Sequence, residues 1–172
     1  MNRRHFLLGS AGLIATGSIL LPVLANQFQA ELPALLTRLR GLQGKTLASS
    51  GSWSVSEVFQ HLTQSVQGAY LGYPQLRASW FRHTVGPLAL TVFKASGRMQ
   101  HPLDEAIPGM PALQADMPPA LALQGLIDAL LQFEQTASLQ PHFAYGDLSA
   151  ADFACAHRLH IEAHLQQISV IA

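Results

Sequence analysis

Ser149 to Ile168, SAADFACAHRLHIEAHLQQI, carries three histidines in a stretch of helical periodicity. At about 100° per residue, with His157 set to 0°, His160 falls at about 300° and His164 at about 340°. Phe153 at about 320°, Ile168 at about 20° and Ile161 at about 40° share that arc, so the imidazoles are predicted to face the core. Cys155, Leu159, Glu162 and Gln166 take the opposite, more mixed side. A buried polar group without a partner costs about 1–3 kcal/mol. Three inward rings therefore demand partners, and a metal ion would satisfy at least two of them.

His160-x3-His164 has the one-turn spacing by which a helix offers two ligands to one metal. A third nitrogen must come from elsewhere. His61, on the helix predicted to start at Ser52 or Ser54 and end near Gly72, is the best placed, with Ser65 beside it. His157 is read as a group orienting its neighbours rather than as a ligand. Three imidazoles leave at least one coordination position open, the arrangement of a reactive rather than a structural site. Zn, Ni and Fe all accept imidazole, so the ligand set does not choose among them. The alternative is a set of histidines packed in a core and hydrogen-bonded to backbone and water.

Met1 to Ala25 has the layout of an export signal. Arg3-Arg4 precedes an uncharged run from Phe6 to Leu24, and Val23-Leu24-Ala25 supplies small residues for cleavage before Asn26. Arg3-Arg4 followed by Phe6-Leu7 resembles the twin-arginine signal, which predicts a periplasmic or exported protein; a retained membrane anchor is the alternative. Gly9, Gly12, Gly17 and Pro22 interrupt the run and favour a signal over a spanning helix. With that segment removed, 8 basic residues face 10 acidic ones, which provides no electrostatic footprint for nucleic acid. Hydrophobic residues make up 49% of the chain and charged residues 12%, the balance of a buried core rather than of disorder.

Residues 26–172 read as one all-α domain: an antiparallel bundle of four main helices with an extra flanking helix and long loops. The first helix spans 27–43, with Leu35, Leu36, Leu39 and Leu42 on one face. The second carries the capping-box pattern Ser54-x-x-Glu57 and a stripe of Val55, Val58, Phe59, Leu62, Val66 and Ala69. A third covers 76–96, bent near Gly86-Pro87, and a fourth runs from about Pro119 to Ala137. The irregular stretch 97–119 is long enough to suggest a functional loop. Thr46 to Gly51 reads as a polar loop, and no period-2 run is long enough for a sheet. Cys155 is the single cysteine, so no intrachain disulfide forms.

Trp53-Ser54 followed by His61-Leu62 is similar to the second helix of the DinB/YfiT-like superfamily. Pro141-His142-Phe143-x-Tyr145-Gly146-x-Leu148-Ser149, then His157-x2-His160-x3-His164-Leu165-x-Gln167, resemble one uncharacterised branch of it, as does Ile107-Pro108-Gly109-x-Pro111. The resemblance spans about residues 35–168 and implies a four-helix bundle with a divalent metal on His61, His160 and His164. It also implies a metal-dependent hydrolase or thiol transferase that activates water or a thiol. A non-catalytic bundle binding a metal or small ligand is the competing reading. The expected partners are a small-molecule substrate and, through self-association as a homodimer, a second copy of the chain. Phe143 and Tyr145 either pack or wall a pocket above the metal. His101 and His142, in loops beside Pro, are expected to face solvent, with reaching the site as the alternative for either; Trp53 is expected to anchor the start of its helix, and Arg98 and Asp104 to be available to a substrate.

Overall fold

Leu32, Leu35, Leu36 and Leu39 recur at three- and four-residue steps, and all four are buried in the main core. In the computed structural model, which describes residues 32–171, they form the inner face of α1, helical over 32–40. The export signal read at 1–25 and the start of the helix read at 27–43 lie outside the described residues.

Helix α2 (Val55–Leu71) begins on a complete capping box: Ser54 Oγ accepts the Glu57 N–H at 3.2 Å, and the Glu57 carboxylate accepts the Ser54 N–H at 2.8 Å. Helices α3 (Ser79–His83), α4 (Val85–Ser96), α5 (Pro119–Gln135) and α6 (Ala150–Leu165) follow, the last capped by the Ser149 hydroxyl. The described residues are mostly helical. Phe59, Leu62 and Val66 of α2 pack with Leu123, Leu126 and Leu130 of α5 and with Phe153 and Ile161 of α6. Each such side chain taken from water contributes about 1.5–3 kcal/mol, which is what holds α2 and α6 side by side. On the far side of α6, α4 is tied down by the Lys94–Asp152 ion pair. Among the described residues no helix is long and apolar enough to cross a membrane.

The secondary structure departs from the sequence expectations at four points. The polar loop read at 46–51 contains a strand, β1 (Leu47–Ser49), which pairs antiparallel with β2 (Ile168–Val170). Leu47 faces Val170 and Ser49 faces Ile168, so the last helix ends at Leu165 rather than running to Ile168. Three-residue strands are too short to leave an alternating pattern, and pairing with a distant segment supplies what local sequence does not. The single bent helix read at 76–96 is two helices that meet at Thr84. A continuous helix would make Pro87 both lose a backbone bond and clash one turn back; instead Gly86 and Pro87 sit in the first turn of α4, where N–H groups need no intrahelical partner. Thr84 Oγ1 donates to the Trp80 carbonyl at 2.7 Å and closes α3. The helix read to Ala137 stops at Gln135, where Thr136 is extended.

Candidate metal centre

Helix α2 brings His61, and helix α6 brings His160 and His164, to a single point. His160 Nε2 lies 3.2 Å from His61 Nε2 and 3.2 Å from His164 Nε2. A tetrahedral ion with metal–nitrogen bonds of about 2.0–2.1 Å separates its ligand nitrogens by about 3.3 Å. The two spacings at His160 match that separation, and one ligand nitrogen from each ring lies within 4.8 Å of the others, so the three residues could hold a metal ion.

His61 and His164 are buried and His160 is partly open. Burial disfavours the charged imidazolium. It pushes His61 down to about 4, with His101 adding to the effect, and His164 down to about 3, with His61 and His101 adding. His160 falls well below the usual 6.5 for the same reason, followed by repulsion from His61 and His164. All three therefore offer lone pairs at neutral pH. On α2, Ser65 stands one turn beyond His61, and its Oγ is 3.1 Å from His160 Nδ1. When Oγ accepts the Nδ1 proton, Nε2 is left as the metal-facing lone pair. Ser65 is itself fixed, because its carbonyl accepts the buried Tyr73 hydroxyl at 2.8 Å. Trp53 closes the other side: its ring lies 4.9 Å from His61 and stacks parallel to His164 at 6.3 Å. The helix anchor read at Trp53 is thus also a wall of the centre.

His61 and His160 line a cavity of about 250 Å³ whose walls are mainly apolar: Phe81, Phe93, Met99, Ile107, Phe143 and Tyr145. Arg77 and Glu105, both exposed, stand 4.0 Å apart among its lining residues. The residues 142–146 form a turn in which the His142 and Gly146 backbones bond each other at 2.8 and 3.2 Å. Against this turn rests the start of α4, so closely that a Cβ on Gly86 would run into the Ala144 carbonyl.

His142 corrects the expectation of solvent exposure. It is buried, stacks on Tyr145 at 4.3 Å, and its Nδ1 accepts the N–H groups of Ala144 and Tyr145, each at 3.1 Å. That acceptor role needs a neutral ring, and burial pushes its pKa down to about 3, with His157 adding. Tyr145, on the same turn, is pushed up to about 12 by burial, against the pull of Arg77. His101 is corrected as well: it lies partly buried with its ring 4.8 Å from His160 and 5.3 Å from His164. Neither loop histidine had a periodic neighbour to betray its direction.

His157 is fully inside, edge-on to Phe133 at 5.0 Å and 5.6 Å from Phe153, and it lines the cavity beside the centre. Its Nε2 has no protein partner. The mixed side of α6 is less polar than expected, since Cys155 and Leu159 are buried with Met99. Glu162 pairs with Arg158 at 2.7 Å on that helix, away from the cavity lining. Asp104 accepts a hydrogen bond from Ser52 at 3.2 Å and is not a cavity residue, nor is Arg98.

Neither a curated protein nor a solved structure matches the chain. A family match covers residues 26–170, a span that includes α1 to α6, all three histidines and the closing strand. The chain therefore belongs to the family described as protein of unknown function DUF1569.

Proposed function

We propose that this chain is a metal-dependent enzyme of the DinB-like type, acting on a small molecule in the cavity beside His61, His160 and His164. The observation that carries the reading is the convergence of three neutral Nε2 atoms on one point at the edge of an apolar cavity. In this reading α1, α2, α5 and α6, which share the main core, are the four helices of a DinB-like bundle. Zn, Ni or Fe would suit the three imidazoles, and the bound ion supplies a Lewis acid that activates water or a thiol.

The chain's own residues divide the remaining work. Ser65 orients His160, Trp53 keeps water from the back of His61 and His164, and the aromatic walls exclude water from around the substrate. Elemental mass spectrometry of the purified protein tests the reading. Stoichiometric metal, lost in His61→Ala and His164→Ala, is the expected result; metal retained in His164→Ala refutes the ligand assignment.

A second reading, a binding module without turnover, is favoured by one observation. Glu105, exposed, is the one carboxylate among the cavity lining residues, so no acid is positioned deep inside to move a proton. A metal-bound ligand that is recovered unchanged after prolonged incubation would favour this reading. We further propose an exported location, on the leader-like layout of residues 1–25. Mass spectrometry of the mature N-terminus tests this, with Asn26 as the expected first residue.

A further inference from the structure

The loop between α4 and α5 is long, yet it is bound tightly over the centre. Gln60, the neighbour of His61, clamps it at two points: Nε2 donates to the Gln114 carbonyl at 2.8 Å and Oε1 accepts the Gln114 N–H at 2.9 Å. Gln64, one turn later, donates to the Pro111 carbonyl at 2.9 Å. Met99 and Ile107 are buried on either side of residue 101, and Asp104 takes a hydrogen bond from Ser52 at 3.2 Å. His101 is the polar side chain this loop turns inward. Its ring meets His160 and His164 edge-on and lines the cavity. Both its nitrogens are inaccessible to water and without a partner. A neutral imidazole always carries one donor and one acceptor, and a native fold rarely strands both. His101 does not join the group of nitrogens clustered by His61, His160 and His164.

We propose that the His101 ring, by turning one of its closed-off nitrogens toward the cavity, hydrogen-bonds the small molecule that enters there and meets the metal, holding it against the centre without itself being a ligand to the ion. The inference rests on the metal-site reading above and adds a residue to it. It also gives the loop a purpose, since Gln60 and Gln64 fasten its later part to α2 while its earlier part carries the His101 ring beside His160 and His164.

The test uses the full chain, stripped of metal and titrated with Co²⁺, then with azide as a small metal-binding probe, both followed by visible absorption. His101→Ala is expected to bind Co²⁺ as wild type does, while its azide affinity falls about 10-fold, the size of one hydrogen bond. His101→Gln, which retains a donor and an acceptor, is expected to recover part of that loss. Azide affinity unchanged in His101→Ala overturns the proposal. So does a collapse of Co²⁺ affinity with an altered spectrum, which would make His101 a ligand to the ion. Failure of the wild-type chain to bind Co²⁺ at all removes the metal-site reading itself, a result distinct from the other two.

Discussion

Replacing Ser65 by Ala asks whether a single hydroxyl sets the tautomer of His160. The Oγ lies 3.1 Å from His160 Nδ1, at a residue only 5% exposed, so water does not readily take its place. In the metal-free variant the ring relaxes by moving its proton to Nε2, which already faces two other nitrogens at 3.2 Å. With metal bound, Nε2 is occupied and the proton is forced onto an Nδ1 that has lost its partner. The bound form alone therefore carries the orphaned donor, at about 1–3 kcal/mol. Since about 1.4 kcal/mol is a factor of ten, metal affinity falls about 10- to 100-fold, in line with the loss of other ligand-orienting groups. Competition for Zn²⁺ against a chromogenic chelator measures it. Ser56→Ala is the control: Ser56 is equally buried on α2, and its hydroxyl accepts from Gln60 at 3.0 Å rather than touching a centre histidine. It should lose about 0.5–1.5 kcal/mol of folding stability and keep its metal. If Ser65→Ala binds Zn²⁺ as tightly as Ser56→Ala, the hydroxyl does not hold the ring and the reasoning is refuted.

Adding a strong chelator should lower the melting temperature, because an ion present at about 100 to 1,000 times its Kd stabilises the folded state by about 2.7–4.1 kcal/mol; an unchanged melting curve would contradict the centre. Gly68→Ala puts a Cβ into the Tyr73 ring and breaks its 2.8 Å bond to Ser65, at about 1–3 kcal/mol by urea unfolding. Tyr73→Phe should cost less, about 0.5–1.5 kcal/mol. Acid should destabilise the protein through His142. Its folded pKa is about 3 against an ordinary 6.5, so the unfolded chain binds the proton more readily, and stability present above pH 6.5 drains away as pH falls toward 3. The slope from this residue approaches about 1.4 kcal/mol per pH unit in that window. His142→Asn, which keeps a side-chain acceptor for the turn, should flatten the acid limb of the stability curve measured by urea unfolding.

The parts of the centre that were legible in the sequence are those governed by helical periodicity. His160 and His164 lie one turn apart on a helix whose apolar arc includes Phe153 and Ile161, so their inward direction follows from angles alone. His61 could be placed on α2 for the same reason, and Ser54 with Glu57 marked the start of that helix. What escaped depends on contacts between distant segments. His101 lies on a loop that bonds from Gln60 and Gln64 fasten to α2 at residues 114 and 111, and two exposed-looking glutamines announce nothing of the kind. His142 is held by the N–H groups of its own turn, a pattern hidden in an irregular stretch. Gly86-Pro87 did mark an interruption, but steric exclusion of Pro87 from a helix interior moved the break upstream, to Thr84. The β1–β2 ribbon joins residues 47–49 to 168–170, and nothing in either triplet names the other.

The division of the triad between α2 and α6 also fixes when the centre can exist during synthesis. His61 leaves the ribosome well ahead of His160, and α6 is the last helix made. The nascent chain can bury α2 against α5 once α5 is out, but the nitrogens that meet His61 arrive only with α6, and β2 then fastens that segment to β1. In the metal-site reading proposed above, capture therefore waits until α6 has been made. A product stopped before α6 would hold α1 to α5 and His61 but lack His160 and His164.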